Sequence, residues 1–363
     1  MVGVLSEATA PPPVASAFLN VIQSIGKIDK WSVLAGARFA LASIVAIGHL
    51  GLTMPLGWLS PIPGFGAFDA VLGFLLISGY SICASYVREP DGFLLRRVYR
   101  IYPVYLAAIG IAWVAFMLQD GQGPSVGTLI VNALFLNQVV TTESFVRPAW
   151  SLSLEFWLYC LASLLIRMPK PRLRLLMYGS FACYTIYTIC RTLLHAPYYS
   201  GVGYGTNLLY LSFPWIGGVL LARANPGESR PLKDVGIVFA GHLLLSAAIQ
   251  LGFRIKHHVA ASFISLDALG FLQEGVTLVA IYYVFKTFVL IKRQEVRRSR
   301  ILRLLGDISY PLYLIHVYIY MILMHFGFKN PLGLYLFAVI AAGLLCWTLD
   351  FYSRRRHQKI GVA

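Results

Sequence analysis

Charge is scarce in this 363-residue chain: Asp, Glu, Lys and Arg make up 12% of it, against 58% for hydrophobic residues. Soluble domains carry about 25% charged residues, so a soluble globular enzyme, a disordered chain and a coiled coil are excluded. Cysteine is equally sparse. Cys83, Cys160, Cys183, Cys190 and Cys346 all sit in apolar blocks without a CxxC pair, which excludes a disulfide scaffold and leaves them as small buried hydrophobes. No metal site is expected, since His257 and His258 are adjacent rather than helically spaced. Acidic residues are scarcest of all, 15 against 30 basic ones, for a net charge of +15. In a soluble protein such an excess suggests nucleic acid. Here the preference of cytoplasmic loops for Lys and Arg accounts for it, and no nucleic-acid partner is expected. The N-terminus also lacks the basic, apolar and small-residue succession of a cleaved signal peptide.

What the chain has is long apolar stretches. Segments of about 20 apolar residues span a bilayer, and ten candidates are legible: roughly 32–52, 66–87, 101–118, 150–167, 175–194, 207–223, 235–252, 268–291, 306–326 and 331–350. The expected fold is an all-α polytopic transmembrane helix bundle. Basic residues cluster in alternate connections, at 27–30, 88–100, 167–174, 223–233, 292–303 and 354–359, while Arg147, Arg254, Lys256 and Lys329 fall between them. That alternation holds only if 119–149 does not cross. This segment, with Asn132, Asn137 and Gln138, is therefore expected to be re-entrant or to lie along the outer surface. Irregular backbone at that depth needs protein or a water-filled cavity around it. The expected organisation is a cytoplasmic tail at 1–31, with an interfacial helix near 17–31, a transmembrane domain at 32–350 and a basic cytoplasmic tail at 351–363. No internal repeat is visible, which weakens an inverted-repeat transporter reading.

Ionisable residues inside spans are costly and default to function. Arg38 and His49 lie eleven positions apart on the first span. At about 100° and 1.5 Å per residue they share a face to within about 20° and stand about 16 Å apart. Arg38 either snorkels to the inner interface or points inward with His49. Asp69 enters the membrane level with His49 and either orients an imidazole or serves as a first-turn acid favoured by the helix dipole. Glu155, in the run from Trp150 to Trp157, lies about five residues in from the outer face and is expected to pair with His49 or to complement its own helix N-terminus. Arg97 and Arg100, at i,i+3, share a helix face and suit phosphate as paired guanidiniums; ordinary cytoplasmic charge is the plainer explanation. Ser151, Ser153, Tyr313 and His316 complete the polar set.

Together these blocks resemble the acyltransferase family 3 membrane proteins, bacterial O-acetyltransferases that modify cell-surface carbohydrates. The resemblance runs over roughly 38–316. It is carried by Arg38 and His49 with ten residues between; by Leu76-Ile77-Ser78-Gly79-Tyr80; by Arg97-Val98-Tyr99-Arg100-Ile101-Tyr102-Pro103; by the Trp-Ser-Leu-Ser-Leu-Glu block from Trp150 to Glu155; and by Ile308 to His316, with Pro311 where a small residue is more usual. The resemblance implies ten spans, as the charge pattern does. The chain resembles the stand-alone type, without a fused esterase-like domain. It further implies a bacterial inner-membrane protein with both termini cytoplasmic. Its donor is expected to be cytoplasmic acetyl-CoA, a substrate rather than a bound cofactor. The acceptor is expected to be a hydroxyl of an exported or cell-surface carbohydrate or lipid-linked glycan, preferably exopolysaccharide.

On that reading Arg97 and Arg100 hold the CoA phosphates and Arg38 lines the donor's path. His49 is the general base, oriented by Glu155 or Asp69 as in a triad, or it forms an acetyl-histidine intermediate. Ser151, Ser153 and Tyr313 are candidate oxyanion donors, with His316 auxiliary. The competing readings are a proton-coupled transporter and a non-catalytic component of a polysaccharide export complex. The second tolerates His49→Ala.

Overall fold

The computed structural model describes residues 28–256, 270–290 and 297–360. The expected interfacial helix lies almost entirely outside the described residues, as do His257 and His258. Eleven α-helices and no strands are found among the described residues: α1 (Lys30–Gly51), α2 (Ala67–Arg88), α3 (Phe93–Asp120), α4 (Val126–Ala133), α5 (Trp150–Arg167), α6 (Lys170–Leu194), α7 (Asn207–Ala222), α8 (Arg230–Lys256), α9 (Gly270–Val284), α10 (Arg300–His325) and α11 (Pro331–Ile360). All except α4 fall on the ten expected spans. Seven of them are long and apolar enough to cross a membrane: α1, α2, α3, α8, α10, α11, and α5 together with the turn before it. Helix α7 is apolar but shorter.

Helix α4 has eight residues, about 12 Å at 1.5 Å per residue, too short to span a bilayer. Segment 119–149 is a tied loop. Gly121 ends α3 in the left-handed region, φ 66°, and Ser125 caps α4 through the Thr128 amide. The buried amides then fasten the return. Asn132 accepts from the Phe145 amide at 2.9 Å and donates to Thr128 O at 2.9 Å. Gln138 donates to Ser200 O and accepts from Asn207, at 2.7 and 2.8 Å.

The core is built on two helix pairs. Helix α1 packs along α10, and α2 along α7. Both are close because glycine removes the Cβ where backbones meet. A Cβ on Gly79 would strike the Trp215 carbonyl, one on Gly218 the Leu76 carbonyl, and one on Gly306 would strike Ala35. Helix α2 is the most enclosed of the seven spans, whereas α8 and α11 leave most of their surface uncovered by protein.

The basic connections gather at one face. Arg303 pairs with Asp29 at 3.4 Å, Lys170 with Glu228 at 2.6 Å and Arg174 with Asp234 at 2.7 Å. Burial raises the Asp29 pKa, but the Ser32 hydroxyl and amide and the Arg303 charge outweigh it and leave the carboxyl below its ordinary value. The C-terminal end of α1, the start of α2 and the 119–149 loop form the opposite face.

Candidate functional site

The basic-face half of the site hangs on one stripe of α2. Ser78, Ser81 and Ser85 occur at i, i+3 and i+7, so they share a helix face. Ser81 accepts from the Arg38 guanidinium at 2.7 Å. Ser85 accepts from Arg97. Ser78 donates to Glu155, which also accepts from the Tyr159 hydroxyl. Three helices thus present an arginine or a carboxylate to a single serine stripe. Arg38, Arg97 and Arg100 lie within electrostatic reach of one another, and Glu155 of Arg38. Arg38 is partly buried, with its guanidinium turned to Ser81 on α2.

Helix α10 continues the polar path. Tyr310, Tyr313 and His316 stand at i, i+3 and i+6. Tyr310 donates to Ile101 O at 3.0 Å, and Tyr313 shares a 2.7 Å hydrogen bond with Ser151. His316 is fully buried and lies against His49, with Nδ1 of His49 2.7 Å from Nε2 of His316. The rings are nearly parallel and meet edge to edge, with centroids 5.1 Å apart and an interplanar angle of 6°.

The direction of this bond follows from a third group. Nδ1 of His316 lies 2.9 Å from the Leu312 carbonyl, and a carbonyl only accepts. Nδ1 of His316 therefore carries the hydrogen, and Nε2 of the neutral ring offers a lone pair. Nδ1–H of His49 donates to it. Nε2 of neutral His49 is left with its own lone pair. His49 lines a cavity of about 420 Å³ at the face opposite the basic one, with Thr53, Gln119, Asp120, Arg147 and His325 among its walls.

Two expected pairings are corrected. Glu155 does not orient His49: its partners are Ser78 and Tyr159. The reason is that α5 starts inside the fold, beneath the tied 119–149 loop, so a residue in its second turn lies deeper than distance from a surface start suggests. Asp69 does not orient His49 either. It sits 2.9 Å from Nε2 of His242, whose Nδ1 meets the Tyr184 hydroxyl at 2.8 Å. Ala67 faces α1 at Gly48, and two residues turn a helix by about 200°, so Asp69 points away from α1. Ser153 is likewise no free oxyanion donor, because its hydroxyl is committed to Phe135 O and Asn137 O at 2.8 and 2.6 Å.

The partner not foreseen for His49 is His316, and the acceptors not foreseen for Arg38 and Arg97 are Ser81 and Ser85. The serine stripe was visible as a 3–4 spacing in Ser-Gly-Tyr-Ser-Ile-Cys-Ala-Ser. The histidine pairing had no local signal, since 267 positions separate its members.

Among the described residues no group of three His, Cys, Asp or Glu side chains is placed to hold a metal ion. No curated protein and no solved structure matches the chain. A family model described as an acyltransferase domain matches residues 29–351. The polar path with His49 at one end and three arginines at the other is thus set in a membrane-embedded enzyme, and the chain belongs to acyltransferase family 3.

Proposed function

We propose that this acyltransferase moves an acetyl group from acetyl-CoA to a carbohydrate hydroxyl, with the basic face in the cytoplasm of a bacterium and the His49 cavity on the outer side of its inner membrane. The observation that carries the reading is His49 itself, a base of fixed tautomer on the same helix as Arg38, which stands with Arg97 and Arg100 at the basic face. Both termini then lie on the cytoplasmic side, where the concentration of Lys and Arg belongs.

Arg97 and Arg100 receive the phosphates of CoA, as forked donors to phosphate oxygens. Arg38, about 16 Å along α1 from His49 by helical rise, guides the pantetheine arm past Tyr310 and Tyr313. The thioester carbonyl arrives beside His49. Nε2 of His49 takes the proton of the acceptor hydroxyl as its oxygen attacks the carbonyl carbon. The C–O bond forms, the tetrahedral oxyanion collapses, and the C–S bond breaks. The sulfur leaves with the electron pair and takes the proton back from His49, giving CoA thiol and an acetyl ester. His316 keeps the His49 ring in its reactive tautomer and accepts the hydrogen bond that strengthens when His49 becomes cationic. Tyr313 and Ser151, which share a hydrogen bond, are the hydroxyls we assign to the oxyanion. Glu155 balances charge among the arginines and holds Ser78. On this reading the acceptor is preferably an exopolysaccharide, entering the cavity at His49.

The test is CoA release and label transfer from radiolabelled acetyl-CoA by purified protein, with and without a surface-glycan extract. Glycan-dependent transfer that disappears in His49→Ala is expected. Turnover retained by His49→Ala would overturn the assignment of the base, and a protein indifferent to acetyl-CoA would overturn the donor.

A further inference from the structure

The cavity at His49 does not end at Arg147. A second cavity of about 460 Å³ begins on the far side of that residue, and Phe116 and Arg147 line both. Each volume falls within the roughly 300–1,000 Å³ typical of small-molecule sites. The far chamber offers the Glu143 carboxylate, the Gln122 amide and the hydroxyls of Thr128 and Ser144, beside the ring of Phe145. Acceptors and donors around an aromatic ring suit a sugar, whose hydroxyls point outward around an apolar ring face.

The partition between the chambers is held by α10. The Tyr318 hydroxyl on α10 accepts from the Arg147 amide at 2.6 Å and donates to Phe145 O at 2.7 Å. Phe116 packs against both Phe145 and Tyr318. Tyr318 is two residues beyond His316, so the junction is registered to the His49–His316 pair. Charge argues for a neutral ligand. Asp120 lines the near chamber, Glu143 the far one, and Arg147 both. Each chamber thus sets one carboxylate against the shared guanidinium, so the lining matches neither an anionic nor a cationic glycan.

We infer that the two cavities form one acceptor groove with two subsites, so that the enzyme acts on a neutral glycan of at least two sugar units. The reacting hydroxyl occupies the His49 chamber, and the neighbouring sugar occupies the Glu143 chamber. The inference depends on the carbohydrate acceptor proposed above. Binding energy from the second sugar is then available to position the first.

The experiment uses full-length protein in detergent with radiolabelled acetyl-CoA. The acceptors are size-fractionated neutral fragments, one to six units long, from partial hydrolysis of the host's surface glycan. Acetylation efficiency is expected to rise at least tenfold from one unit to two and then to level off. In Glu143→Gln the ratio of two-unit to one-unit efficiency is expected to fall towards one. Equal efficiency for one and two units, or a ratio unchanged in Glu143→Gln, would overturn the groove. Acetylation of no fragment at any length would overturn the carbohydrate reading beneath it. Preference for acidic fragments in a competition would overturn the neutral-ligand assignment alone.

Discussion

The Leu312 carbonyl determines which nitrogen of His49 is basic, although it touches only His316. The chain of three groups runs one way, from Nδ1–H of His49 to Nε2 of His316 and from Nδ1–H of His316 to the carbonyl. In a Ser-His-Asp triad a carboxylate performs this orientation. Here the lone pair of a second, neutral imidazole does. Replacing His316 with Phe keeps the ring volume but removes the acceptor, freeing His49 to adopt the other tautomer. The kcat of His316→Phe is expected to fall about a hundredfold or more, within the range of general acid–base contributions, with the KM for acetyl-CoA little changed. Steady-state CoA release checks both values. An unaltered kcat would show that His49 needs no orienting partner.

The same arrangement predicts a pH profile. His49 acts as a base only when its Nε2 lone pair is free, so acidification that protonates the ring removes activity. The rate is expected to rise with pH along a single limb and then level off. Initial rates measured at saturating acetyl-CoA locate the limb. A rate that increases on acidification would assign His49 the opposite role, that of an acid.

Arg97 makes the clearest case for donor binding, because its guanidinium is held by Ser85 on the serine stripe of α2 and Arg38 is held by Ser81 four residues earlier. Hydrogen bonds to charged groups contribute about 1.5–3 kcal/mol. Arg97→Ala is accordingly expected to raise the KM for acetyl-CoA about 10- to 100-fold, and added salt is expected to weaken donor binding in the wild type. Ser85→Ala, which only loosens the guanidinium, is expected to show a smaller rise in the same direction. Donor titrations of the three proteins decide the order.

Asp69 carries a structural rather than a chemical prediction. Its bond to His242, and that of His242 to Tyr184, tie α2, α8 and α6 together inside the fold. Asp69→Leu leaves the buried imidazole without its acceptor, at a cost of about 1–3 kcal/mol. A lower Tm in detergent is expected, with turnover per folded molecule close to the wild type. Lost turnover at unchanged Tm would return Asp69 to the active site.

These contrasts mark what the sequence carried and what it did not. Helix positions were legible because about 20 apolar residues between basic clusters have few alternative placements. Arg38 and His49 were legible as a pair because helical periodicity fixes their common face. Charge alternation set 119–149 apart from the ten spans, and its helix α4 is short. Partners across helices were not legible. Periodicity gives the face a residue occupies relative to its own helix, but not which neighbour that face meets. Asp69 is level with His49 yet turned away from it, and Glu155 lies deeper than its place in the chain suggests because the loop before it folds over the helix start.

The crossing of α2 and α7 yields the sharpest steric prediction. Gly79 and Gly218 lie where the two backbones meet, and a Cβ at either would collide with a carbonyl of the other helix, an atom that has no rotamer to escape into. Overpacking of this kind costs about 1–3 kcal/mol and often more. It would also shift Ser78, the neighbour of Gly79 and the donor to Glu155. Gly79→Ala is therefore expected to lower both Tm and acetyl transfer. Gly110, in the apolar part of α3, has nothing within 4 Å of its Cβ position. Gly110→Ala is expected to be neutral or to stabilise the helix by up to about 1 kcal/mol. Thermal unfolding of the two variants side by side separates a crossing that demands glycine from a helix that merely contains it. Equal Tm values for both would show that α2 and α7 have room to move apart.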